Sequence, residues 1–247
     1  LRYTPCDNSE LLKHYRSYFR QVWVRPNSEI IGAAMKELSL GVSIIADCNI
    51  QYSADVWQEA GIMIGLIGAS PELDGMLESG LEGLHGDSYQ IRSVEHAGRQ
   101  RVVLAGQTAN GVLYAVFHLL RLMQTGQRLD QLSIVEHARN ALRMINQWDN
   151  MDGSIERGYA GRSIFYRDNE FVTDMSRIRD YARLLASVGI NAICINNVNV
   201  HEREMLLITE QLLPKVAEVA AIFSAYGLRT FLSINFASPC QIGGLPT

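Results

Sequence analysis

Apolar and polar positions recur with two different periods along this chain, and the way they alternate divides it near residue 138. Asn8–Phe19 (NSELLKHYRSYF) carries a mixed apolar stripe behind Ser9, a residue type suited to capping a helix. Ser28–Ser39 repeats the pattern, with Ile30, Ile31, Ala34 and Leu38 at helical spacing and Gly41 placed where a helix would stop. Gly61–Gly68 (GIMIGLIG) is a short apolar run bounded by glycines and predicts a buried strand. Ser88–His96 alternates and Arg101–Gly106 is rich in β-branched residues, so the turn at Gly98 predicts a hairpin. Asn110–Gly126 places Leu113, Val116, Phe117, Leu120 and Met123 on one face, with Asn110 as the cap and Gly126 as the terminator. Strands under helices, with no cluster of reactive groups, predict an α+β support domain over residues 1–138. Within it, His118 reads as a structural histidine, and Met35, Met76 and Met123 as core filler.

Over 139–247 the alternation becomes regular. A short strand (ALRMINQW) is followed by a long loop. A helix over Asp174–Val188 comes next, with Ile178, Tyr181, Leu184, Leu185 and Val188 on one side. Ile190–Asn197 reads as a buried strand, Ile208–Tyr226 as a helix with Pro214 at an entry or bend, and Leu228–Phe236 as a third strand. Each helix has the length that a crossover between parallel strands needs, so this is the opening of a parallel α/β system.

Polar residues gather at the carboxyl ends of these strands: Trp148 and Asp149, then Asn196, Asn197 and Asn199, then Asn235 and Ser238. That is the active face of a (β/α)8 barrel and the ligand side of an open sheet. No GxGxxG or Walker-type loop follows any strand, which weakens a nucleotide-binding sheet. The loop Asn146–Phe165 is the most polar stretch, with Trp148, Asp152, Glu156, Arg157, Tyr159 and Arg162 punctuated by Gly153, Gly158 and Gly161. Either it binds a ligand or it is an ordinary long connection whose Trp plugs a gap.

Composition narrows the field. The 247 residues are 47% hydrophobic and 19% charged, enough to bury a core, and the net charge is −4. No Lys/Arg cluster points to a nucleic acid or an anionic membrane, and no apolar run is long enough to span one. Cys6, Cys48, Cys194 and Cys240 lack metal-ligand or disulfide spacing, so neither a metal nor a disulfide framework is expected. The chain starts at Leu1 rather than Met, from which we expect that something upstream was removed; the compartment stays open between cytoplasmic and exported.

The block Trp148–Phe165 (WDNMDGSIERGYAGRSIF), with Ser233–Pro239 (SINFASP) and Gly111–Gln124 (GVLYAVFHLLRLMQ), resembles glycoside hydrolase family 67, the α-glucuronidases of xylan breakdown. The likeness runs along essentially the whole chain and departs at Phe165, where many members carry Trp. It implies an N-terminal α+β domain followed by the first three β/α units of a (β/α)8 barrel, apparently truncated. It also implies removal of (4-O-methyl-)D-glucuronic acid from short xylo-oligosaccharides with inversion, without a cofactor.

By the same resemblance the catalytic acid and base lie on later strands, so none is assigned here and the fragment is expected to be inactive. Asp149, Asp152 and Glu156, though close together, are not taken as the catalytic pair. Substrate contacts are expected from Trp148 as a wall of the uronic-acid pocket, from Glu156 and Arg157, from Val198 beside the O-methyl group, and from Asn196 and Asn197. Glu156 and Arg157 also suit a structural ion pair, and the two asparagines suit strand-end bracing. The expected partners are aldouronic acids, with a possible homodimer in the full-length parent. A non-catalytic carbohydrate-binding or scaffold module is the alternative.

Overall fold

A computed structural model describes residues 2–77, 85–197 and 202–244. The chain divides into two compact units, Leu1–Ala141 and Leu142–Thr247.

The first unit runs α1 (Ser9–Phe19), β1 (Gln21–Val24), α2 (Glu29–Ile45), β2 (Gln51–Ser53), β3 (Ile62–Leu66), α3 (Pro71–Asp74), β4 (Tyr89–His96), β5 (Arg99–Gly106), α4 (Ala109–Gln124) and β6 (Ser133–Glu136). Its sheet has the order β2-β1-β3-β5-β4-β6. β2, β1, β3 and β5 pair in parallel, and β4 pairs antiparallel with β5 and β6. The unit is therefore a mixed α/β layer with a parallel-rich sheet, where the sequence pattern predicted α+β. Short strands account for the difference. β1 and β2 have 4 and 3 residues, too few to display a period, yet they add the parallel edge.

Alternation along the central strands sends side chains to both faces. Trp23, Met63, Val103 and Ala105 form one buried cluster with Leu73 and Met76, while Val22, Ile62, Ile64, Val102 and Leu104 are equally buried on the alternate positions. Met76 and Met123 are buried and Met35 is half-buried. The predicted hairpin turns at Ala97 and Gly98, both at positive φ (53° and 72°), with His96 opposite Arg99. Positive φ at both central residues is what a right-twisted two-residue hairpin requires.

Three helix boundaries differ from expectation. Asn8, not Ser9, caps α1, accepting from the backbone N–H groups of Glu10 and Leu11. Thr108, not Asn110, caps α4 through Gly111 N–H. Gly41 does not end α2: the helix continues to Ile45, and a Cβ built on Gly41 would lie 2.4 Å from Leu120 Cδ2 of α4. The glycine lets two helices approach closely, a tertiary demand that imitates a stop signal. His118 takes the structural role expected, with Nδ1 2.9 Å from the Tyr89 hydroxyl; burial, with Arg121 nearby, depresses its pKa.

The second unit comprises β7 (Met144–Asn146), β8 (Tyr166–Arg167), β9 (Glu170–Phe171), α5 (Ser176–Ser187), β10 (Ala192–Cys194), α6 (Glu202–Met205), a 3-10 turn (Leu206–Ile208), α7 (Leu213–Ser224), β11 (Arg229–Phe231) and α8 (Ser238–Gln241). β7, β10 and β11 form a parallel sheet in the order β11-β10-β7, with Ile193 of β10 between Ile145 and Thr230. β8 and β9 form a separate hairpin turning on Asp168 and Asn169, which sequence periodicity does not show. Pro214 stands in the first turn of α7, so it marks an entry and not a bend. On α5 the buried stripe is Ile178, Ala182, Leu185 and Ala186; Leu184 and Val188, predicted to face inward, are exposed, because a shift of one position moves a side chain about 100° around the helix.

Candidate functional site: a hydrogen-bonded rim at the ends of three parallel strands

Each strand of the parallel sheet is 3 residues long and ends at the same level, so the segments that follow β7, β10 and β11 emerge side by side. The segment after β10 joins the other two. Asn197 N–H donates to Asp149 O (3.0 Å) and its side-chain amide to Asn150 Oδ1 (3.2 Å). On the other side, Asn196 Nδ2 donates to Ser233 O (2.9 Å) while Asn196 Oδ1 accepts from Ser233 N–H (2.8 Å). Asn196 thus extends the β10–β11 ladder past the strands, its side chain imitating a peptide unit. Both asparagines are buried, and their side chains join the segments on either side.

The loop from Trp148 onward is folded on itself. Glu156 N–H donates to Trp148 O (2.8 Å), Asn150 N–H to Ser154 O (2.9 Å), and Ser163 N–H to Gly153 O (2.9 Å). Bridges between Asp149 and Ile155 and between Ser154 and Arg162 give it a short antiparallel character. Asn150 Nδ2 reaches Ser154 Oγ and Glu156 O, and the Asp152 carboxylate accepts from Ser154 N–H and Oγ–H. Glu156 is held at φ 59°, and Gly153 at φ 94° approaches Tyr166 O closely. A chain this thoroughly bonded is a fixed support for exposed side chains, as a binding loop requires.

Two buried carboxylates sit beneath it. Asp149, 1% exposed, accepts from Ser163 Oγ–H and Ile164 N–H, while Oδ2 has no partner; burial raises its pKa against the lowering effect of those two bonds. Glu204 is 4% exposed, accepts Met151 N–H at 2.7 Å through Oε1, and leaves Oε2 unpartnered. Tyr166 donates to Ile195 O (3.2 Å), and burial first, then the charges of Asp149 and Glu204, lift its phenol well above its ordinary pKa. Sequence spacing could show neither role: Glu204 lies 53 residues from Met151.

The remaining predicted contacts fall as follows. Trp148 is half-buried; Arg157 is exposed. Glu156 accepts from the Tyr159 hydroxyl, and no ion pair joins it to Arg157 among the described residues. Val198 and Asn199 lie outside the described residues. Asn235 Oδ1 accepts Ala237 N–H (2.8 Å), so it serves the turn into α8. A cavity of about 460 Å³ in this unit is lined by Ser163, Ile164, Arg167, Asp168, Phe171 and Arg177, with neither Trp148 nor Asn196 in its wall. No group of His, Cys, Asp and Glu among the described residues suits a metal ion, the four cysteines form no disulfide there, and no described helix is long and apolar enough to cross a membrane.

Parallel strands alternating with helices and ending in a polar rim define an α/β protein, and the strand-end face is where ligands bind in sheets of this class. Solved structures with this fold include a family GH115 4-O-methyl-alpha-glucuronidase with specificity for decorated arabinogalactans (TM-score 0.57, 14% identity, 84% of this chain and 28% of that one). A GH138 enzyme targeting pectin rhamnogalacturonan II is similar too (TM-score 0.55, 14% identity, 90% of this chain and 33% of that one).

The particular family follows from sequence. Residues 1–119 match the glycosyl hydrolase family 67 N-terminus and residues 122–247 the glycosyl hydrolase family 67 middle domain. This chain belongs to glycosyl hydrolase family 67. It is 33% identical over 258 aligned residues to alpha-glucuronidase A of Emericella nidulans, covering 100% of this chain and 29% of that protein. It is 45% identical over 146 residues to a probable alpha-glucuronidase A of Aspergillus oryzae, covering 59% of this chain and 17% of that protein. The chain thus spans less than a third of the length of these curated relatives.

Proposed function

We propose that this chain is the non-catalytic support domain (1–138) and the opening three β/α units (139–247) of the (β/α)8 barrel of an α-glucuronidase. The full-length protein would release (4-O-methyl-)D-glucuronic acid from aldouronic acids and glucuronoxylan oligosaccharides, with inversion. The observation that carries this reading is the rim: loops after three adjacent parallel strands joined through Asn196 and Asn197, with Trp148 and Arg157 carried on the bonded loop.

In this reading Trp148 offers an aromatic face to the sugar or its methyl ether, and the Arg157 and Arg162 guanidinium groups are the local ones able to meet a uronate carboxylate in two parallel hydrogen bonds. Glu156 would take a sugar hydroxyl or order the loop through Tyr159. Val198 is proposed as an apolar neighbour of the O-methyl group. Inversion calls for an acid and a base roughly 6.5–9.5 Å apart with water between them. Asp149 and Glu204 do not suit those roles, because both are buried and bonded to the loop's own groups. They are positioning groups, and the reacting carboxylates are assigned to later strands.

The test compares the 247-residue chain with the full-length gene product on 4-O-methylglucuronosyl xylotriose, followed by release of free uronate. The long protein should turn over, and Trp148→Ala in it should lower kcat/KM by roughly tenfold to a hundredfold, mainly through KM. The short chain should not turn over. Multiple turnovers by the short chain at a comparable rate would overturn the assignment.

A further inference from the structure

The first unit holds a cleft of about 860 Å³, far from neutral in its lining. Lys13 and Arg16 reach it from α1, Arg20 from the C-terminal cap of that helix and Arg99 from the start of β5, against Glu59 and Asp130. His14, also in the wall, contributes no charge: burial and Arg128 depress its pKa, and its Nε2 accepts Leu129 N–H at 2.9 Å. Four cations face two carboxylates in a chain whose net charge is −4, so the local excess is not a general property of the surface.

The charges are not equally available. Arg16 is held by Asp47 Oδ2 (3.0 Å) and Ala46 O (2.8 Å). Asp130 is bound by Arg128 at 2.7 Å, which offsets its charge. Lys13, Arg20 and Arg99 are exposed and make no ion pair among the described residues. Opposing them are the last carbonyls of α1, worth about half a negative charge at most.

The wall is rigid where it matters. Arg101, 1% exposed, donates to Trp57 O, Gln58 O and Ala60 O and lies 5.5 Å from the Trp57 ring, fixing the segment that brings Glu59, Ala60 and Gly61 to the cleft. Size then selects the ligand. An isolated inorganic anion would leave most of such a cleft as water, whereas it lies in the range of sites that enclose a several-ring molecule. Three unpaired cations, drawn from two elements, suit charge spread along an extended chain.

We propose that this cleft is an accessory site for carboxylate-bearing oligosaccharides, separate from the rim of the second unit, with Lys13, Arg20 and Arg99 meeting uronate carboxylates. The choice of uronate as the anion rests on the function proposed above; the site's preference for an extended anion does not. Contacts at exposed cations are individually weak, so binding is expected near about a millimolar and to weaken with added salt.

Backbone amide NMR of the 247-residue chain tests it, with 4-O-methylglucuronosyl xylotriose, neutral xylotetraose and inorganic phosphate as separate probes. The charged oligosaccharide should shift the amides of Lys13, Arg20 and Arg99, and the triple variant Lys13→Gln, Arg20→Gln, Arg99→Gln should weaken that response about tenfold while Arg157→Gln leaves it unchanged. No shift there, an equal shift with xylotetraose, or phosphate binding as tightly as the sugar would overturn the site. Shifts confined to these residues, with none around Trp148, would support the accessory site and leave the rim, incomplete in this chain, to the activity test above; shifts around Trp148 alone would overturn the accessory site without touching the function proposed for the full-length protein.

Discussion

Asp149 is a carboxylate enclosed by the loop it helps to hold, bonded to Ser163 and Ile164 while its Oδ2 is without a partner. Burial favours its neutral form, so its folded pKa stands above the ordinary 3.8. The sign of the pH effect follows by linkage. The stability that this proton binding supplies is fully present below 3.8 and is lost as pH climbs through the raised folded value. Each tenfold gain in the folded chain's affinity for that proton corresponds to about 1.4 kcal/mol. Asp149→Asn keeps an acceptor oxygen and cannot ionise. Melting temperatures measured by circular dichroism across acid to neutral pH should therefore fall more steeply in the wild-type chain than in the variant. Parallel curves would show that Asp149 does not titrate in that window.

The helices of the first unit meet where one lacks a side chain. Gly41 of α2 leaves room for Leu120 of α4, and the space a Cβ would need is already filled. Helix propensity alone would reward replacing this glycine, by up to about 1 kcal/mol for Ala. Packing opposes it, since added methyls must displace a buried leucine in a dense interior, a cost of typically about 1–3 kcal/mol. For Gly41→Val the second effect should win, because a β-branched residue gains little in a helix. Urea denaturation is expected to show a loss of about 1–3 kcal/mol, and a neutral or stabilised variant would mean that α4 can slide.

At the scale of the whole molecule, two compact units meet in the chain at residues 141 and 142. The run His137–Ala141 has no helix or strand and is largely exposed, with Arg139 at its centre. Exposed irregular backbone between units is the preferred site of nicking. Limited trypsin treatment should cut first after Arg139 and give two fragments identifiable by mass. Initial cleavage elsewhere, with Arg139 protected, would show that this stretch is more firmly held than its exposure suggests.

The pattern of apolar residues by itself determined the longer elements: α4, the β4–β5 hairpin, β3, and the strand–helix alternation of the second unit are all written as local periodicities and turn residues. It also located the polar strand ends, because the segment after a strand is visible in one dimension. Only the tertiary structure decided what those residues do. The short strands β1, β2, β8 and β9 carry no readable period, so the parallel edge of the first sheet and the β8–β9 hairpin came from pairing across the chain. Gly41 spelled a stop and was a contact. Asn196 and Asn197 spelled ligand or brace equally, and only the structure shows their amides bonded to Ser233 and Asn150. Glu204 was silent in sequence, since a carboxylate that accepts one backbone N–H 53 residues away belongs to no local motif.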